Sequence, residues 1–148
     1  MLLGEFPIDP LLPRLRDSLV PGATVLLQSP PGAGKTTRVP LALLGEIAGT
    51  EPLPGRSLML EPRRLAARAA ATRLAVSLKE PLGERVGYSV RNEHKRSSRT
   101  QIEAMTDGLF LRRLQNDPEL TGINCVIFDE FHERSRNSEL ALALVREA

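Results

Sequence analysis

Gly32-Ala33-Gly34-Lys35-Thr36-Thr37 sets two glycines, an alanine, a lysine and two hydroxyls in six consecutive positions. Small residues ahead of a helix let successive backbone N–H groups turn toward one anion, and the positive end of the helix adds to their pull. Lys35 would reach over the β and γ phosphates of a nucleoside triphosphate, Thr36 would ligate Mg²⁺, and Gly32, Ala33, Gly34 and Thr37 would complete the cradle. The usual G-x-x-x-x-G-K-S/T spacing is not fully met, because Ser29 stands where the first glycine belongs. Pro30 and Pro31 have no N–H to offer, so the cradle must start at Gly32.

A second cluster, Asp129-Glu130-Phe131-His132, follows the apolar run Ile123 to Phe128. Ligands of open α/β sheets gather at the carboxyl ends of the strands, where these acids would lie beside the phosphate loop. There Asp129 would hold Mg²⁺ through water, and Glu130 would orient the attacking water and take its proton. His132 is a candidate for coupling the site to the rest of the molecule. A nucleoside triphosphate and Mg²⁺ are thus the expected ligands, with Lys35, Asp129 and Glu130 the expected catalytic residues.

Hydrophobic periodicity supplies elements to carry both clusters. A short N-terminal helix is expected over about 9–20, broken by Pro13, then a strand from Ala23 to Gln28 and a helix from Arg38 to Ile47. Ser57 to Leu60 reads as a strand, Arg63 to Lys79 as an Ala-rich helix, Val86 to Arg91 as a strand and Asn92 to Arg99 as a basic loop. Thr100 to Thr106 alternates polar and apolar residues as a strand does, and Asp107 can cap a helix to about Asn116. Ile123 to Phe128 is the most continuous apolar strand, and Ser138 to Glu147 completes the chain as a helix. Strands alternating with helices predict an α/β domain: a mostly parallel sheet with helices on both faces.

Composition narrows the field. A chain of 148 residues, 41% hydrophobic and 26% charged, suits one globular domain spanning 1–148. Net charge is only +2, but three of the twenty cations are Lys and the rest Arg, a bias that suits phosphate-rich partners. Cys125 is the only cysteine, which rules out an intrachain disulfide and a cysteine-built metal cluster. No apolar run is long enough to span a membrane and no secretory leader is evident, so a cytoplasmic protein is expected. No Asn-Lys-x-Asp guanine signature is present, which disfavours a GTPase. The basic loop Arg91 to Arg99 lacks interleaved aromatics for base stacking and reads as a solvated turn.

Four motifs in order give the chain a resemblance that covers nearly its whole length. Ser29 to Thr37 resembles motif I, Glu61-Pro62-Arg63-Arg64-Leu65-Ala66-Ala67 motif Ia, Thr106-Asp107-Gly108 motif Ib, and Asp129 to Ser135 (DEFHERS) motif II of the DEAH/RHA branch of superfamily 2 helicases. The likeness is closest to the bacterial HrpB-type subgroup, whose pattern also accommodates Phe131 and Pro30-Pro31. It extends to Val86-Gly87-Tyr88-Ser89-Val90-Arg91, which is similar to the family's hairpin stretch.

The resemblance implies a three-layer RecA-like P-loop NTPase domain, the first of two motor lobes in an ATP-dependent nucleic-acid helicase, with RNA more than DNA as the partner. It implies nucleic-acid backbone contacts from Arg64, Thr106 and Asp107, and stacking of Arg73 on the adenine. It also implies a second RecA-like lobe as partner. With that lobe and the C-terminal domains absent from these residues, weak hydrolysis is expected of this lobe alone. The alternative is a nucleotide-switched nucleic-acid or protein-binding module that does not unwind strands.

Overall fold

The computed structural model describes residues 8–29, 35–129 and 138–144 of the chain. After a single 3-10 turn, Asp9–Leu11, the chain forms α1 (Leu12–Ser18), β1 (Thr24–Ser29) and α2 (Lys35–Leu43). It continues through β2 (Arg56–Glu61), α3 (Arg64–Leu78), the hairpin β3 (Val86–Val90) and β4 (Glu93–Lys95), and β5 (Ile102–Thr106). Helix α4 (Asp107–Asn116), β6 (Ile123–Asp129) and β7 (Ser138–Leu144) follow.

Among the described residues, seven strands join one sheet in the order β1-β7-β6-β2-β5-β3-β4. β6, β2, β5 and β3 are mutually parallel, and β1 points the same way, because β7 runs antiparallel to both β1 and β6. β4 is the other reversed strand, paired with β3. The expected mostly parallel sheet is therefore present.

Alternation along the strands divides the core in two. Met59, Ile102, Ala104, Cys125 and Ile127 face the layer of α1, α2 and α3, which contributes Leu12, Leu41, Ala71 and Leu74 among others. Leu58, Leu60, Met105 and Val126 face the opposite side and pack with Phe110 of α4. Ile123 joins this second group although it shares odd numbering with Cys125. Between Arg56 and Ser57 the β2–β6 register shifts, from Ile123 to Cys125, and that irregularity turns Ile123 to the other face. Helices thus cover both faces, the three-layer arrangement expected.

The chain departs from the sequence expectations at four places. Pro13 does not break α1 but sits in its first turn, where its missing N–H has no helical acceptor to lose. α4 begins at Asp107 with Thr106 as its extended N-cap, so Asp107 lies in the first turn rather than at the cap. The basic loop contains β4, closed onto β3 by Asn92 with φ 64°, a left-handed conformation that asparagine tolerates. The final segment expected as a helix over Ser138–Glu147 is a strand over its described part. Its sequence S-E-L-A-L-A-L alternates with period two as well as supporting helix, and β1 and β6 offer backbone partners on both sides.

α3 ends with Lys79 at φ 57°, ψ 41°, its N–H directed to the carbonyls of Ala75 and Val76. The left-handed position suits glycine better than any residue with a Cβ. Lys79→Gly is expected to raise stability by about 0.5–1 kcal/mol, read as a higher urea midpoint. An unchanged or lower midpoint would show that the lysine side chain contributes more than the backbone strain costs.

Candidate functional site

The phosphate-loop segment is anchored at both ends. β1 delivers the chain to Ser29 at the carboxyl edge of the sheet, and α2 opens at Lys35, so residues 30–34 connect a strand end to a helix start. Gly32, Ala33 and Gly34 lie outside the described residues. Lys35, Thr36 and Thr37 form the first turn of α2, and Thr36 and Thr37 are half-buried.

Asp129 is the last residue of β6 and ends at the same edge. Ser29 pairs with Ser138 of β7, and Asp129 with Leu140 of that strand, so one strand separates the two strand ends. Two inter-strand spacings amount to roughly 10 Å, a gap that a triphosphate and a hydrated cation can span. From sequence the acids are expected at the same carboxyl edge as the phosphate loop, and β7 is the strand between the two ends. Glu130 and His132 lie outside the described residues.

A hydroxyl and a carboxylate are hard oxygen donors, and few protein ligands are what Mg²⁺ takes when phosphates and water complete its octahedron. Thr36 and Asp129 fit that requirement. Among the described residues no group of three or more His, Cys, Asp or Glu could form a cage for any other metal. The sole thiol, Cys125, is buried and pushed up to about 12 by that burial, against a smaller opposing pull from Arg16, so it is chemically inert.

The residues expected to meet nucleic acid occupy neighbouring strand ends. Arg64 opens α3 just after β2, and Thr106 and Asp107 make the junction of β5 with α4. β2 and β5 are paired, Glu61 with Thr106, so the two junctions are side by side. Arg64 and Asp107 are exposed and Thr106 is half-buried. Arg73 lies two turns further along α3 and is exposed.

Arg64 is held by a residue that sequence reasoning missed. Glu93, on β4, accepts a hydrogen bond from the Tyr88 hydroxyl and draws in Arg64 Nη2 at 3.6 Å and Arg68 Nη1 at 3.5 Å. The tyrosine hydrogen bond is the main cause holding the Glu93 carboxyl below its usual range, with Arg68 and Arg64 helping against desolvation. The same hydrogen bond raises the Tyr88 phenol, and its burial adds to the effect. A carboxyl with a lowered pKa favours the fold at neutral pH, and that contribution fades as pH falls through the lowered value.

Glu103 is the second missed residue. Alternation in I-E-A-M-T placed it on a polar face, yet it is completely buried, under α4 and the hairpin. Ser89 donates to its Oε2, Arg96 Nη1 approaches Oε2 at 2.9 Å, and Arg56 and Arg113 Nη1 each stand 3.4 Å from Oε1. Gly87 is its register partner on β3; a Cβ there would collide with the Lys95 carbonyl and with Arg96. The missing side chain therefore opens the route by which Arg96 reaches the carboxylate. Arg99 is paired as well, with Glu84 at 2.9 Å, so the basic loop is tied into the fold and is not simply solvated. No local signal marks Glu103, because Arg56 and Arg113 come from distant elements.

Residues 14–145 match the DEAD/DEAH box helicase family. The chain is 45% identical over 143 residues to the ATP-dependent RNA helicase HrpB of Escherichia coli (strain K12), which covers 97% of this chain and 17% of that protein. It is 35% identical over 144 residues to the DExH-box ATP-dependent RNA helicase DExH1 of Arabidopsis thaliana, covering 97% of this chain and 14% of the relative. A crystal structure of the Escherichia coli DEAH/RHA helicase HrpB superposes with a TM-score of 0.75 at 43% identity, over 88% of this chain and 16% of that one. The chain thus spans about a sixth of the length of these bacterial relatives.

Proposed function

The chain belongs to the DEAD/DEAH box helicase family, and from that premise we propose that residues 1–148 are a single RecA-like lobe that binds ATP with Mg²⁺ and serves as the first motor lobe of an ATP-dependent RNA helicase. The observation that carries the reading is the shared carboxyl edge: β1 ends at Ser29 ahead of the phosphate loop, α2 starts at Lys35, and β6 ends at Asp129. The relatives' printed names, ATP-dependent RNA helicases, support nucleotide use and RNA as the partner. Among the described residues no helix is long and apolar enough to cross a membrane.

In this reading the amides of Gly32, Ala33 and Gly34 cradle the phosphates, Lys35 neutralises them, and Thr36 with Asp129 holds Mg²⁺, the latter through water. The cation would offset phosphate charge. Thr37 adds a hydroxyl to the cradle, and Arg73 stacks on the adenine. Glu130 orients the attacking water, and His132 passes the state of the site onward. Arg64, Thr106 and Asp107 hold the RNA backbone, whose oxygens take Arg, hydroxyl and helix N-terminal donors. A second RecA-like lobe supplies the remaining cations for hydrolysis.

Lys35→Ala tests the reading directly. ATP affinity, followed by calorimetric titration, is expected to fall at least tenfold, about 1.4 kcal/mol, with the circular dichroism spectrum unchanged. An unaltered titration would exclude Lys35 from phosphate binding.

A further inference from the structure

The amino edge of the sheet carries a second concentration of positive charge, far from the phosphate loop. Arg56 opens β2 and Gly122 precedes β6, while the nucleotide edge lies at the other end of these strands, roughly 20 Å away along β6. Here Arg56, Arg99, Arg113 and Thr121 are among the residues lining a cavity of about 440 Å³. Among the described residues no carboxylate lines it.

The charges at this edge do not balance. Glu103 is one carboxylate facing three guanidinium groups, with Arg56 and Arg113 sharing a single oxygen at 3.4 Å each and Arg96 on the other. Arg99 is engaged by Glu84 but stays 76% exposed at the rim. Asp117 is near, yet it accepts from the Thr121 amide and hydroxyl and lines the neighbouring cavity.

The donors are not exhausted either. Arg56 is fixed from three sides, by the Thr100 carbonyl, the Ser97 carbonyl and Glu103. Arg113 donates only to Glu103 among the described residues, although a guanidinium carries five N–H groups in a rigid fork. Both side chains are about three-quarters buried, at 24% and 26% exposure, so they are held in place more firmly than surface arginines. Preorganised, partly desolvated guanidinium groups with spare donors match a tetrahedral oxyanion, which accepts two parallel hydrogen bonds from one fork.

We propose that this cavity binds a phosphate group, gripped by Arg113, flanked by Arg56 and closed at its mouth by Arg99. The inference is independent of the nucleotide site, since none of its residues lies on the carboxyl edge. Phosphate at this position completes the neutralisation that Glu103 begins.

The test uses the whole chain, ¹⁵N-labelled, with the arginine Nε–Hε signals followed during titration with inorganic phosphate and, separately, with a short single-stranded RNA. The Arg56 and Arg113 signals are expected to shift saturably. Arg113→Gln is expected to weaken binding roughly tenfold and Arg99→Ala about threefold, while Lys35→Ala leaves these shifts intact. Arg99→Ala removes only an exposed side chain, so it remains informative if Arg113→Gln perturbs folding. Saturation by inorganic phosphate supports a free-anion site; saturation by RNA alone supports the same site with backbone phosphate as its source. The proposal is overturned if neither ligand moves the two signals saturably, if both arginine variants bind as well as the parent, or if Lys35→Ala abolishes the shifts.

Discussion

Glu130→Gln, in a chain paired with a second RecA-like lobe, is expected to lower ATP hydrolysis by about 10²–10⁴ while leaving ATP binding within twofold or so of the parent. The substitution keeps the size and most of the hydrogen bonding of the side chain and removes only its ability to take a proton from water. Asp129 pairs with Leu140 of β7, and Phe128 before it pairs with Leu60 of β2, so the sheet sets the position of the end of β6. In the proposed reading, binding rests on different groups, the loop amides and Lys35 at the start of α2, and so should persist. Single-turnover hydrolysis and equilibrium titration of the same preparation separate the two. Equal loss of both would mean that Glu130 holds the loop together, and unchanged hydrolysis would assign the proton to another acceptor.

How far this site could be read from sequence depended on how local its signals were. Gly-Ala-Gly-Lys-Thr-Thr between an apolar run and a helical run, and Asp-Glu after the longest apolar strand, are contiguous patterns, and the sheet does bring both strand ends to one edge. The roles given to Thr106 and Arg64 came from the resemblance to the helicase motifs rather than from any local pattern, and the pairing of Glu61 with Thr106 sets their two junctions side by side. What failed to show was anything assembled from distant pieces. Glu93 and Tyr88 meet across a hairpin whose second strand was hidden in a charged run, and the cue to it was Asn92, able to turn the chain with φ 64°. In the last segment, leucine and alanine at alternate positions satisfy both periods, and the sheet's own open positions decided for strand. The order β1-β7-β6 follows from that choice, and with it the spacing between the phosphate loop and Asp129.

Removing the Glu103 carboxylate is the second large effect expected, and it falls on stability. Glu103→Ala should cost about 3 kcal/mol, the low end of what breaking one partner of a buried ion pair costs. The side chain is fully buried, so its loss leaves a void as well as three guanidinium groups facing one another. The low end applies because those groups are between 24% and 41% exposed and recover part of their hydration. Three elements lose their common anchor at once: the start of β2 through Arg56, the end of the hairpin through Arg96 and α4 through Arg113. α4 starts at Asp107 with Thr106 as its N-cap, so on the proposed reading that these two residues hold RNA, RNA affinity should decline together with stability. Urea denaturation gives the first quantity, and a loss under 1 kcal/mol would show that the arginines repel one another too little for Glu103 to matter. Glu103→Gln isolates the charge, since it keeps volume and the hydrogen bond from Ser89. If the excess positive charge is real, inorganic phosphate should restore stability to Glu103→Gln more than an equal concentration of chloride does, because the anion then does from the cavity what the carboxylate did from within the sheet.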